Sequence, residues 1–192
     1  MNMRIAWGIT GAGHYLRDSY EVIKSLVENN YKIDVFFSEA GKTVAKMYGV
    51  LKKIQDLHEK HKEHLTSIFY DSGQSPGYIV SARFNLNKYQ ALIISPVTSN
   101  SVAKMNVGIA DTLITNIFSQ MIKGSGKILL VPCDLVCGDI ETEIPNGNKI
   151  TIRVDQFNCQ NALNLRKFPN VSLFEHPKEI LAKLKEFEND EA

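Results

Sequence analysis

The sequence predicts a three-layer α/β fold built on a doubly wound parallel sheet, and three observations carry that prediction. Short apolar runs recur along the chain, as MRIAW, KIDVFF, ALIIS and KILLV. Between them lie segments whose apolar residues repeat at helical spacing. Strands that alternate with helices need crossover connections, which make the sheet parallel and cover both of its faces. Finally, the 192 residues contain no internal repeat, low-complexity tract or linker-like stretch, so residues 1–192 are read as a single domain.

Each element follows from local pattern. Met3 to Ile9 is almost continuously apolar, as in a strand covered on both sides. His14 to Asn29 places Tyr15, Leu16, Tyr20, Val22, Ile23, Leu26 and Val27 on one helical stripe, and Asn29-Asn30 stops it. Lys32 to Phe37 is the second strand, with Ser38 at its C-terminal end. A helix follows from Glu39 to Tyr48 and continues past Gly49 towards His64. Thr66 to Tyr78 is rich in turn residues and reads as a surface loop.

Ala91 to Ser95 forms a third strand that ends at Pro96, and Val102 to Lys123 is largely helical with a break or close packing point at Gly108. Lys127 to Val131 is a fourth strand ending at Pro132. Glu141 to Val154 reads as a C-terminal β-hairpin excursion, because ETEI and KITIRV alternate around Pro145-Asn146-Gly147-Asn148. A helix over Gln156 to Phe168, a short strand over Val171 to Phe174 and an amphipathic helix over Pro177 to Phe187 close the chain.

Composition excludes several function classes. Twenty-two basic side chains balance 21 acidic ones for a net charge of +1, so neither nucleic acid nor an anionic membrane is an indicated partner. The apolar runs fall far short of the roughly 20 residues that span a bilayer. The first strand begins within three residues of Met1, with no signal-peptide layout. A cytoplasmic protein is expected. Cys133 and Cys137 are spaced C-x3-C, unlike the usual C-x2-C of zinc sites, and with Cys159 they read as reduced, small hydrophobic side chains. No metal site is expected.

In a doubly wound sheet, ligands bind beyond the carboxyl ends of the strands, at the point where strand order reverses. That rule selects Thr10, Gly11, Ala12 and Gly13 after the first strand, Ser38 after the second, Ser95 to Ser101 after the third, and Pro132 with Cys133 after the fourth. The first three segments hold no Lys or Arg. A phosphate there would be gripped by backbone N–H groups and hydroxyls. The glycines alone do not identify the ligand: GITGAG has neither the G-x-G-x-x-G nor the P-loop spacing. Thr98 or Ser99 can equally serve only as a helix cap.

Three ordered motifs carry a family resemblance. GITGAG follows the first strand, FFSEAG the second, and SPVTSNSVAK with GIADTLITN the third. Together they resemble the FMN-binding flavoproteins related to phosphopantothenoylcysteine decarboxylase and flavin prenyltransferase, in which a proline-led segment close to P-A-S-A-N-T corresponds to Pro96–Ser101 here. With EHPKEI (Glu175 to Ile180), the pattern is most similar to the archaeal branch, the archaeoflavoproteins of the dihydromethanopterin-reductase-like kind.

The resemblance implies a Rossmann/flavodoxin-like fold and an FMN cofactor. Gly11, Ala12 and Gly13 would approach its phosphate or ribityl chain, with Ser38 hydrogen-bonding beside them. Pro96 leads the segment in which Thr98, Ser99, Asn100 and Ser101 would line the flavin and phosphate side. It also implies a trimer-based homo-oligomer. The implied function is electron transfer or an oxidoreductase reaction, from a ferredoxin-like donor to a small-molecule acceptor such as a dihydropterin. A non-redox flavin-dependent transferase, a decarboxylase-like enzyme or a flavin-binding module is the alternative. The decarboxylases carry a histidine ahead of the P-A-S-A-N-T strand where this chain has Arg83, and DLVCGDI is only a loose counterpart of their cysteine-containing flap. The prenyltransferases place an arginine where this chain has Cys133-Asp134. No catalytic side chain is therefore identified.

Other residues carry two readings each. His14 at the mouth of the glycine turn can contact a phosphate or flavin oxygen, or merely cap a helix or face solvent. His58, His61 and His64 recur every third residue, which drifts around a helix and reads as a solvated face. Trp7 reads as core. Tyr15, Tyr48 and Tyr89 can stack on a flavin ring or simply pack. Asp111 either caps a neighbour or meets another subunit.

Overall fold

The protein was analysed as a computed structural model that describes residues 3–71 and 80–190. The architecture grows outward from β1 (Arg4–Ile9), whose alternate side chains enter two separate cores. Ile5, Trp7 and Ile9 join one, with Ile33, Val35, Phe37, Ile93 and Leu129. Ala6 joins the other, with Phe36, Leu92, Ile94, Ile128 and Leu130. Burial of alternate residues on both sides is what lets a strand be apolar throughout. Trp7 is fully buried and its indole N–H donates to the Ser95 carbonyl at 3.0 Å.

The sheet also contains β2 (Lys32–Phe37), β3 (Leu65–Tyr70), β4 (Ala91–Val97), β5 (Lys127–Pro132) and β8 (Val171–Leu173), in the order β3-β2-β1-β4-β5-β8. All pairings are parallel. The chain runs outward from β1 through β2 and β3, then returns to β4 on the other side of β1. The switch point therefore lies between β1 and β4.

Helices α1 (Leu16–Glu28), α3 (Val50–Lys60) and α8 (Glu179–Asp190) cover the Trp7 face, through Val22, Ile23, Leu26, Ile54, Ile180 and Leu184. The other face is covered by α4 (Ala82–Asn85), α5 (Ser99–Val107), α6 (Leu113–Met121) and α7 (Gln156–Asn164). Helix α6 rides close to β1: a Cβ on Gly8 would stand 3.2 Å from the Ile114 Cδ1. Helix α2 (Glu39–Met47) stands at the end of β2, and β6 (Gly138–Glu143) pairs antiparallel with β7 (Lys149–Val154) as a separate hairpin.

Several expectations are corrected. Within the expected loop from Thr66 to Tyr78, Leu65–Tyr70 is the edge strand β3, so the sheet gains a sixth strand; residues 72–78 lie outside those described. Thr, Ile, Phe and Tyr suit a half-covered edge strand, and the turn residues begin only after it. The helix expected to reach His64 ends at Lys60, and Gly49 at φ 71° separates α2 from α3. The break expected at Gly108 within Val102 to Lys123 is there: Gly108 terminates α5 at φ 77°, and Thr112 with Thr115 forms a capping box for α6. The His58 Nδ1 lies 2.6 Å from the Leu65 carbonyl, so this histidine belongs to the α3–β3 connection and not to a solvated face. Cys137 and Cys159 form a disulfide with a Cα–Cα distance of 5.6 Å, and only Cys133 is a free thiol. Folding brings Cys137, just before β6, beside Cys159 of α7, a proximity that sequence spacing does not encode.

Among the described residues, no helix is long and apolar enough to cross a membrane. Among the same described residues, no group of three or more His, Cys, Asp or Glu is arranged to hold a metal ion.

Candidate functional site

The C-terminal ends of β1, β2 and β4 are adjacent, because these strands are neighbours in the sheet. Their following residues therefore meet at one edge, on both sides of the switch point. Thr10 fixes this junction. Its backbone N–H and its hydroxyl both donate to the Pro96 carbonyl, at 3.2 and 2.8 Å, while its oxygen accepts the Thr98 N–H at 2.9 Å. Thr10 is 1% exposed, and Pro96 is buried after a cis peptide bond. Both candidates thus hold the frame of the site and do not line its open side.

The other predicted residues fall into place around that clasp. Ser38 caps α2 by accepting the Gly41 N–H at 3.0 Å, and its own N–H donates to the Ile9 carbonyl. Thr98 caps α5, accepting the Ser101 N–H at 3.2 Å and donating to the Ser101 hydroxyl. Capping is therefore a real role of both hydroxyls. Asn100 is exposed in the first turn of α5, and Ser99 is partly exposed beside it. Helices α1, α2 and α5 all begin at this edge, bringing the positive ends of three helix dipoles together.

The glycine turn has a definite steric reason. A Cβ on Gly11 would stand 2.7 Å from the Ala40 Cβ of α2, and one on Gly13 would run into the Tyr48 ring. Neither glycine has a positive φ; the left-handed residue in this turn is Tyr15, at φ 63°. The glycines are needed for close approach to α2 and Tyr48. Tyr15 lies against His14, with ring centroids 3.7 Å apart, and meets His176 edge-on.

The hairpin covers this turn. The His14 Nδ1 lies 3.1 Å from the Thr142 hydroxyl, and the Tyr48 hydroxyl donates to the Glu143 carbonyl at 2.9 Å. Arg17 pairs with the Glu143 carboxylate and donates to the Pro145 carbonyl at 3.2 Å. A cavity of about 220 Å³ opens between turn and hairpin, lined by Gly13, His14, Arg17, Tyr48, Thr142 and Lys149 among others. The Cys133 Sγ contacts the His14 carbonyl from the end of β5 at 3.8 Å.

Burial sets the ionisation here. It lowers the His14 pKa against the opposing pull of Asp134 and Asp18, so the ring favours its neutral form. It raises the Tyr15 phenol, with the Cys133 thiol adding to the shift, and pushes the Cys133 thiol far up. The cavity therefore combines a neutral imidazole with an ion-paired arginine, and the Cys133 thiol stays protonated behind the His14 backbone.

Arg17, Thr142 and Glu143 escape sequence reasoning. Arg17 and Glu143 are 126 residues apart, and opposite charges at that separation carry no pairing signal. Tyr48 is legible in the sequence as an aromatic able to stack on a ligand, but its packing against Gly13 is not. Asp111, left open between a cap and a subunit contact, pairs with Lys104 at 2.7 Å.

The donor set suits an anionic ester group: helix N-termini, hydroxyls and glycine backbone meet with no Lys or Arg in the three converging segments. Comparison with known proteins agrees with this chemistry. The Flavoprotein family matches residues 1–188. The chain is 42% identical over 144 residues to a dihydromethanopterin reductase (acceptor) of Methanosarcina mazei, covering 74% of this chain and spanning 59% of that reductase. Its fold matches Burkholderia xenovorans DmrB, solved in complex with FMN and described as a cubic protein cage for redox transfer. The TM-score is 0.78 at 29% identity, over 96% of this chain and 94% of that one. A dodecameric FMN-dependent UbiX-like decarboxylase from Escherichia coli O157:H7 shares the fold at TM-score 0.64 and 18% identity, over 89% and 78% of the two chains. Sequence and fold lead to one assignment: the chain belongs to the Flavoprotein family.

Proposed function

We propose that residues 1–192 act as one FMN-binding domain that passes electrons from a low-potential, ferredoxin-like donor to a small-molecule acceptor such as a dihydropterin. The observation that carries this reading is the convergence of the glycine turn, Ser38 and the Thr98–Ser101 cap at the switch point. Gly11, Ala12 and Gly13 supply backbone next to a phosphate or ribityl chain. Ser38, Thr98, Ser99, Asn100 and Ser101 supply hydroxyl, amide and N–H contacts, and His14 stands at the turn's mouth. Thr10 and Pro96 keep the two segments in register.

Bound FMN supplies reversible electron acceptance, and the protein supplies position, water exclusion and local charge. His14, held neutral, adds no fixed positive charge beside the cofactor. The hairpin limits solvent access from the side of His14 and Arg17. The names of the reductase and of the redox cage support the electron-transfer reading, since both relatives match most of this chain. The acceptor is assigned by analogy with the reductase alone.

A trimer-based homo-oligomer belongs to the same proposal. Val107 and Ile109, at the end of α5, are 72% and 47% exposed, an apolar edge suited to a second copy. The cage and the dodecamer named for the structural neighbours support that reading.

The test is an absorption spectrum of the purified protein with identification of the heat-released chromophore. Bands near roughly 375 and 450 nm, released FMN and reoxidation of reduced flavin by a dihydropterin-type acceptor are expected. Bound FMN that undergoes no turnover with any low-potential donor would favour a flavin-binding module. A colourless protein that takes up no added FMN would overturn the reading.

A further inference from the structure

The hairpin that covers the glycine turn is unusual in how it is held. Neither of the two apolar clusters takes a side chain from β6 or β7, and on β7 only Val154, its last residue, is buried. Ile150 and Ile152 are 42% and 38% exposed. At its far end the hairpin meets the body through polar contacts: Thr142 with His14, Glu143 with Arg17 and Tyr48, and the Pro145 carbonyl with Arg17. At its base stands a covalent link. Cys137 directly precedes β6 and Cys159 lies in α7, which begins just after β7, so the disulfide encloses the entire hairpin in a 22-residue separation.

We propose that Cys137–Cys159 is a reversible thiol–disulfide latch that sets how firmly the hairpin closes over the glycine-turn cavity, and thereby how fast the bound cofactor exchanges. The effect on the cofactor rests on the FMN reading above; the effect on the hairpin does not. With the disulfide formed, the base of the hairpin is fixed to α7 and the polar contacts at its far end need only hold a short arm. With the disulfide reduced, only those contacts, each competing with water, and the buried Val154 at the base resist opening.

The exposures define the chemistry. Cys137 is exposed and Cys159 is 5% exposed, so an external dithiol reaches the Cys137 sulfur first. Its thiolate bonds to the Cys137 Sγ as the disulfide breaks, and Cys159 leaves as a thiolate that takes up a proton. The second thiolate of the dithiol then attacks the mixed disulfide and releases Cys137. The dithiol is oxidised to a disulfide by two electrons, and the protein gains two thiols. Cys133 is the other thiol nearby. It packs against the His14 carbonyl, and burial keeps it protonated, which suppresses exchange onto it.

The test uses the full chain, prepared oxidised and dithiothreitol-reduced, together with Cys137→Ser. Alkylation and peptide mapping report the pairing, hydrogen exchange reports the hairpin, and fluorescence recovery reports FMN release. One alkylated cysteine, Cys133, is expected in the oxidised chain and three after reduction. Amides of residues 138–154 are expected to exchange about tenfold faster in the reduced chain and in Cys137→Ser, with the central strands unchanged and FMN leaving several-fold faster. Three alkylated cysteines in the oxidised preparation, or equal hairpin exchange in both states, would overturn the latch. Redox-dependent hairpin exchange in a chain that never binds FMN would support the latch and overturn the cofactor reading. Equal FMN release despite altered hairpin exchange would overturn the control of cofactor exchange.

Discussion

The Thr10 hydroxyl donates to the Pro96 carbonyl at 2.8 Å across the boundary where strand order reverses, between β1 and β4. The same oxygen accepts the Thr98 N–H, so one buried atom sets the distance between the glycine turn and the cap of α5. Thr10→Val keeps the shape and removes both bonds. Leaving the Thr98 N–H and one Pro96 lone pair unmatched should cost about 1–3 kcal/mol of stability, seen as a lower urea midpoint. FMN affinity should fall with it, and Thr10→Ser should restore much of both. Equal stability of Thr10→Val and the native chain would show that the clasp contributes nothing beyond packing.

Asn100 is exposed in the first turn of α5, where a carboxylate interacts favourably with the helix dipole. Asn100→Asp should therefore leave the fold as stable as before or slightly more so. A phosphate or flavin oxygen nearby would be repelled, and FMN affinity should drop at least about tenfold, corresponding to roughly 1.4 kcal/mol. A fluorescence titration beside a thermal melt separates the two effects. Unchanged FMN occupancy would remove the Pro96–Ser101 segment from the cofactor site.

The contrast between these residues and the hairpin shows what the sequence encodes locally. Buried strands announce themselves through continuous apolar runs, and the edge rule then places Gly11, Ser38 and Thr98 together from chain order alone. Leu65–Tyr70 does not show in the sequence because Thr66 and Ser67 break the apolar run of an edge strand, and its pairing with β2 decides its conformation. The disulfide and the Arg17–Glu143 contact were illegible for a different reason. Both depend on where a surface hairpin lands after the sheet has formed, and neither pair is close in sequence.

Asp34 is fully buried within β2, where its carboxylate pairs with Arg4 at 2.8 Å and accepts from the Tyr89 hydroxyl at 2.6 Å. Asp34→Ala would remove the acceptor shared by Arg4, Tyr89 and the Thr66 hydroxyl and, with Arg4 partly open to water, should cost about 2–3 kcal/mol. Burial and the bond to Asp34 hold the Tyr89 phenol well above its ordinary value, and burial with Glu188 pushes Tyr31 up to about 12. A phenol that keeps its proton longer in the folded chain contributes stability that is fully present below its unfolded pKa of about 10. That stability is lost as pH rises from there towards the folded value. Urea midpoints should stay level through neutral pH and fall above about pH 10, less steeply in Tyr89→Phe. An equally steep fall in that variant would exclude Tyr89 as a source of the alkaline sensitivity.

His14 should give the cavity an acid limit. Its ring is partly buried, with Thr142 on one side, the Tyr15 ring tilted against it and Asp134, Asp18 and His176 acting on its charge. Burial dominates and lowers its pKa, so the folded chain binds the proton less readily than the unfolded chain, whose histidine titrates near about 6.5. The associated stability is present above that value and is lost as pH falls through it towards the lower folded pKa. Protonation would place a charge in the half-buried turn and loosen the hairpin above it. FMN release and proteolytic cutting within residues 138–154 should therefore accelerate below about pH 6.5 in the native chain. His14→Gln can still bond to Thr142 but cannot titrate, so its release rate should stay level to about pH 5. A parallel acceleration in His14→Gln would assign the acid limit to the carboxylates around the cavity instead of the imidazole.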